Sequence, residues 1–261
     1  MVLFVVIVCL TMAAFAFMQT TDADAVDGWG SVEGQFLFDG EMPEVPPLAM
    51  REDYAEKGSE YWDADSIPDE SLLVDTESRG VANIFIYLQK APERIHPDLV
   101  EPAEKEIEFT ASGCRFVPHA LAARIDQVVR WKHDGKLFHS IRAPSSQQER
   151  IGMALQPMPE DGIPYEFSQA EIVPSSVICD MHPWMLAYWL VTDNPYFAIT
   201  DAEGRFRIDN LPEGEHTFTV WHERSGYVET PRFTQELTLN VVPRKTVTLE
   251  PFEVPAAAFD R

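Results

Sequence analysis

The 261 residues are 45% apolar, enough to bury a core in one large or two ordinary domains. A formal net charge of −23 argues against nucleic acid as a partner and favours either a basic protein partner or a merely solvated acidic face, and three cysteines are too few for a disulfide scaffold. The acidity is uneven: residues 26–103 hold 18 acidic against 5 basic side chains, residues 104–192 hold 11 against 8, and residues 193–261 hold 12 against 7.

Taken in chain order, Val2 to Met18 is an apolar run that turns polar at QTTDADAVDG, where Ala23-Asp24-Ala25 has small-x-small cleavage spacing. The run lacks a basic start, so residues 1–25 are expected to be a secretion signal or a retained N-terminal anchor, with the mature chain periplasmic or extracellular. Cys9 falls inside this run as one of its small apolar residues, leaving Cys114 and Cys179 in the mature chain.

Beyond it, short alternating stretches bounded by turn residues recur: GSVEGQFLF, ANIFIYL, IDQVVRW, SSVIC, YFAIT, RFRI, HTFTVW and TLNVV. Only ALAARI, residues 120–125, has a helical look. The pattern predicts an all-β class, most simply two β-sandwiches. Residues 49–80 and 143–166 read as long loops. In the first, Asp63 and Asp65 have calcium-like spacing among Tyr54, Tyr61 and Trp62, but the glycine and terminal glutamate of a calcium loop are missing, so a solvated loop is expected.

The chemistry concentrates in CDMHPWM, residues 179–185, directly after the strand SSVIC. Two imidazoles and a thiolate in a plane, with a long thioether bond on the axis, suit copper that cycles between its two oxidation states. Cys179, His182 and Met185 supply three of those four donors, and the fourth must come from elsewhere. The segment KHDGKLFHS offers His133 and His139. Zinc is poorly served by one thiolate and a methionine.

The run FVPHALAARIDQVVRWKHDGKLFHS resembles the cupredoxin pattern, in which a histidine follows a strand-ending aromatic by about eight residues. Trp131 to His139 fits that interval, and CDMHPWM is similar to the short ligand loop of amicyanins. The resemblance implies one mononuclear type 1 copper ion held by His139, Cys179, His182 and Met185. Two departures bear on how the ligand loops are locked together: His133 and Ser140 stand where cupredoxins usually carry asparagine. The same alignment puts Cys114 on a strand, two residues before Phe116 and near the copper end. There it is a free thiol, an extra sulfur near the metal, or a disulfide partner that would destroy the site.

Other candidates are weaker. His119 is expected at the surface or locally bonded, and His222, His96 and His216 are expected to be structural. Met153, Met158 and Met181 could shuttle cuprous ions or simply fill gaps, and Trp184 could shape a docking patch or pack.

The stretch YFAITDAEGRFRIDNLPEGEHTFTVW resembles carboxypeptidase regulatory-like (transthyretin-like) domains, whose opening strands would be GSVEGQFLFDGEMP and ANIFIYL, before the copper motifs. The implied organisation is a cupredoxin Greek-key β-sandwich over 104–192, inserted into a prealbumin-like β-sandwich split between 26–103 and 193–255. No GxSxG, HExxH or phosphate-loop motif occurs, so no enzyme is expected and the regulatory-like part would be a scaffold or docking module. The function implied is one-electron transfer to a redox partner protein, for which the acidic charge suggests a basic surface. The rivals are a copper carrier or buffer, a copper enzyme with an open coordination position, and a structural protein with a degenerate site.

Overall fold

The computed structural model describes residues 28–48, 67–133, 139–143, 151–155 (backbone pairing alone) and 161–260. The leader, Cys9, the Asp63–Asp65 loop and Met158 lie outside the described residues, as does the side chain of Met153.

The described chain is all-β and forms two sandwiches with separate cores. In the host sandwich, β1 (Trp29–Asp39) pairs with β13 (Arg205–Pro212), β19 (Thr246–Thr248) and β20 (Phe252–Pro255). The facing sheet runs β12 (Phe197–Ile199), β2 (Phe85–Tyr87), β14 (Gly214–His222), β15 (Gly226–Tyr227), with β18 (Glu236–Val241) also on β14. A small ladder of β16 (Glu229–Thr230) and β17 (Phe233–Thr234) completes it.

Alternation explains why these stretches are strands. Val32, Phe36 and Phe38 of β1, with Ile84 and Ile86 around β2, project into one core with Phe206, Ile208, Phe218, Val220 and Phe252. The Asp201–Gly204 turn before β13 is closed by Gly204 N–H donating to Asp201 O at 2.9 Å and Arg205 N–H donating to Asp201 Oδ1 at 2.8 Å. Gly204 has φ 75°, and a Cβ there would sit 2.3 Å from Phe36 O, so conformation and space both require glycine.

The chain leaves this sandwich after β2 and returns at β12, which lies beside β2 in the same sheet, Tyr87 opposite Phe197. Between them stands the inserted sandwich. One sheet runs β5 (Ala120–Arg124), β11 (Leu186–Thr192), β10 (Ser175–Cys179), β7 (His139–Ala143), β8 (Ile151–Leu155). The other runs β4 (Arg115–Val117), β3 (Glu106–Ser112), β6 (Val128–His133), β9 (Ile163–Glu166).

The helical look of ALAARI is corrected here. Residues 120–124 pair in parallel with β11, from Ala120 opposite Tyr188 to Arg124 opposite Thr192, burying Leu121 and Ala123 in the inserted core while Ala120 and Ala122, on the other face, pack partly buried against the cluster between the sandwiches. Alanine propensity cannot nucleate a helix over so few residues, and tertiary pairing decides.

The inserted core centres on Phe109, Trp131 and Trp189, whose ring centroids lie 4.7–4.8 Å apart. Each such ring contributes roughly 1.5–3 kcal/mol by leaving water. The Nε1 groups of Trp131 and Trp189 are buried without a hydrogen-bond partner, which costs on the order of 1–3 kcal/mol each and offsets much of what those rings gain by leaving water. A third cluster, Phe85, Tyr87, Leu190 and Trp221, fastens the two sandwiches together.

Candidate metal centre

Cys179 ends β10 and His139 begins β7, and these strands are antiparallel neighbours with Cys179 opposite Ile141. The loop after Cys179 folds back on itself. Met185 N–H donates to His182 O at 2.9 Å, and Cys179 N–H donates to Met185 O at 3.2 Å, so the loop ends beside where it began. Pro183 removes a donor and fixes φ directly after His182, which favours this tight return.

The result is a convergence of soft and nitrogen donors. His182 Nδ1 lies 3.5 Å and His139 Nδ1 3.8 Å from Cys179 Sγ, and the two imidazole centroids are 5.0 Å apart. All three donor atoms fall within 4.8 Å of one another, the metal-capable His/Cys/Asp/Glu group found among the described residues. Metal–sulfur and metal–nitrogen lengths of about 2.3 and 2.0 Å place S and N about 3.5 Å apart at a tetrahedral angle and about 3.7 Å apart at a trigonal one. The cradle therefore has the dimensions of a metal centre, and its donor set suits copper better than a hard cation.

Cys179 and His139 are 1% and 2% exposed, and Met185 is buried in the same core. His182 is half-buried, and burial pulls its pKa below the ordinary value, leaving a neutral ring with a lone pair to offer. Met181, next to it, is 54% exposed.

The two converging segments are joined at Ser140, one of the positions where the sequence departs from the cupredoxin pattern. Asp180 N–H donates to Ser140 O at 2.8 Å, while the Ser140 hydroxyl makes only a long 3.5 Å approach to Asp180 Oδ2. Ser140 thus bridges the loops through its backbone. Arg142 adds a 3.0 Å ion pair with Asp180 on the exposed side. The signal was present in retrospect: Arg142 follows Ser140 by two strand positions, and Asp180 follows Cys179.

The remaining candidates sort by position. His133 ends β6 with its ring centroid 5.9 Å from that of His139 and is not a member of the converging group. Cys114 is not on a strand: it occupies the turn between β3 and β4 at φ 60°, and neither it nor Cys179 is in a disulfide. Its carbonyl accepts from Trp184 Nε1 at 3.2 Å. Trp184 is buried, its ring 5.2 Å from His182, and so packs the loop down. His96 caps a short 3-10 turn (Pro97–Leu99), and His216 bonds Pro212 O at 2.7 Å, both structural. His119, expected at the surface or locally bonded, instead has an almost buried side chain that bonds Glu223 of the host sandwich, 104 residues away.

No family model matches the chain, and no curated protein matches it. Solved structures do. A methionine-to-alanine mutant of amicyanin in its Cu(I) form is 15% identical over 35% of this chain and 86% of its own, with a TM-score of 0.28. A purple cupredoxin from Nitrosopumilus maritimus is 16% identical over 33% of this chain and 98% of its own, with a TM-score of 0.26. A copper-containing nitrite reductase from Thermus scotoductus is 18% identical over 41% of this chain and 26% of its own, with a TM-score of 0.29.

Proposed function

We propose that the protein holds one copper ion at His139, Cys179, His182 and Met185 and passes single electrons to a partner protein. The observation that carries this reading is the convergence of two imidazole Nδ1 atoms on one buried thiol at 3.5 and 3.8 Å, in a loop whose backbone closes at a methionine. When bound, copper supplies a one-electron couple.

The chain's own residues do the rest. Cys179 gives the thiolate and the shortest covalent route from the centre into β10. His139, held at the start of β7, is shielded from water, whereas the half-buried ring of His182 gives the edge by which a partner comes close. Met185, buried at the end of the same loop, would offer a thioether as the fourth donor, a position that a copper enzyme would keep open for substrate. In this reading the protein works outside the cytoplasm. Its acidic surface selects a basic partner, and the host sandwich is a regulatory-like scaffold or docking module. The exposed Met181 beside the loop favours a second reading, a copper carrier that gives up cuprous ion.

Adding one equivalent of copper(II) to the reduced protein from residue 26 onward, beside Cys179→Ser, tests both. An intense visible copper–thiolate band, lost in the variant and cycling reversibly with metal retained, is the expected result. A band that bleaches as a cuprous chelator strips the metal would move the assignment to a carrier, and no band with both thiols still titratable would end the copper–thiolate reading.

A further inference from the structure

A second buried cluster of ionisable side chains lies where the two sandwiches and the metal loop meet. His119 comes between β4 and β5, Glu223 follows β14 of the host sandwich, and Glu70 comes from the segment before β2. His119 Nε2 is hydrogen-bonded to the Glu223 carboxylate, and its Nδ1 is 3.9 Å from Glu70, which also receives Arg115 Nη1 at 3.0 Å. The side chains of His119, Glu223 and Glu70 are only 9%, 6% and 17% exposed.

Burial alone would keep His119 neutral, but the bond to Glu223 and the charges of Glu223, Glu70 and Asp69 together outweigh it and raise its pKa. Two other groups face this cluster. His222 is pushed down to about 3 by burial and by the charges of His119 and Arg224, and Tyr188 is pushed up to about 12 by burial and by Glu223. Around His119 stand the carboxylates Asp69, Glu70 and Glu223, with Arg115 paired to Glu70 and Arg224 acting on His222.

The cluster borders the metal loop. A cavity of about 70 Å³ is lined by His119, Glu70 and Glu223 together with Pro183, Trp184 and Leu186. Tyr188 N–H donates to His119 O at 2.8 Å, tying the residue to the strand that leaves the loop.

We propose that His119 and Glu223 are positioning residues for the metal loop: the host sandwich reaches across with Glu223 and, through His119, completes the wall against which Trp184 and Leu186 seat. The proposal rests on reading 179–185 as a metal loop. A desolvated carboxylate is costly without its cation, so removing the proton from His119 leaves Glu223 and Glu70 on either side of a neutral ring and loosens that wall. The sign follows from the raised pKa. The clasp is complete below the unfolded value of about 6.5 and is lost as pH rises through the folded one.

Hydrogen exchange in peptides covering 179–188 of the metal-free full chain tests this without any copper chemistry. At pH 5.5, Glu223→Gln is expected to speed exchange there by about tenfold, the scale of one charge-assisted hydrogen bond. Peptides of β13 and β18 should stay unchanged. The wild-type loop, corrected for intrinsic rates, should lose protection as pH rises through the His119 titration followed by NMR. Equal loop exchange in variant and wild type would overturn the proposal, as would acceleration spread evenly over the chain. If Glu223→Gln does not fold, the wild-type titration decides, and a loop whose protection is flat across it overturns the proposal. Failure of copper binding would leave these outcomes untouched, so the two readings fail separately.

Discussion

Two pairs of histidines occupy the interior, and their surroundings give them opposite properties. At the metal loop, His139 and His182 face a thiol and each other, and burial keeps His182 neutral and able to donate a lone pair. At the junction of the sandwiches, carboxylates on either side of His119 favour its charged form, while its neighbour across the cluster, His222, is buried and stays uncharged. The same ring is thus neutral beside a thiol, charged between carboxylates, and neutral again where it is buried, accepts the Arg224 N–H at its Nδ1 and faces other positive charges.

Substitution can break this contrast at either end. The largest effect is expected at Cys179→Ser: the copper–thiolate absorption vanishes entirely, while far-ultraviolet circular dichroism remains that of the wild type. Next comes His222. Its folded pKa of about 3 lies below the unfolded value, so the unfolded chain binds the proton more readily. Stability is therefore full above about pH 6.5 and falls by up to about 1.4 kcal/mol per unit as pH drops toward the folded value. Urea unfolding of His222→Gln at pH 4 and pH 7 should show this acid limb flattened. His119 works in the other direction, and His119→Gln should remove a loss of stability that the wild type shows as pH rises through its raised pKa. The smallest effect belongs to Arg142→Ala. Its ion pair with Asp180 is half exposed on both sides, and the backbone bond from Asp180 to Ser140 survives, so the unfolding free energy should change by about 0.2–1 kcal/mol at low salt and less at high salt.

The sequence told most where a signal was local. SSVIC is β10 residue for residue, and the strand-length alternation elsewhere recovers the host sheets. The meeting of His139 with Cys179 and His182 was legible because the latter two lie within one short loop and the cupredoxin resemblance pointed to the first. ALAARI was misread because propensity is a short-range quantity, whereas pairing with β11 is set by a strand some seventy residues away. Cys114 was misplaced because Gly113 and Cys114 both turn left-handed, and a cysteine at φ 60° carries no sequence mark. The His119–Glu223 bond was invisible for a third reason. It joins positions separated by 104 residues, in different sandwiches, and a long-range polar contact leaves no periodicity.

The crossing of the chain between sandwiches also dictates an order of events during synthesis. The ladders of β1 and β2 are all formed with strands that come after the insert, β13, β19 and β20 for the one and β12 and β14 for the other. Asn194 closes the neck by donating to Leu88 O across 106 positions. A growing chain therefore holds β1 with only its short bridge to residues 79–81, and β2 without its ladder partners, while the inserted sandwich is made, and exposed edges of that kind invite association with other chains. The 18 acidic side chains of residues 26–103 travel with those waiting strands, and like charge on neighbouring copies opposes such association.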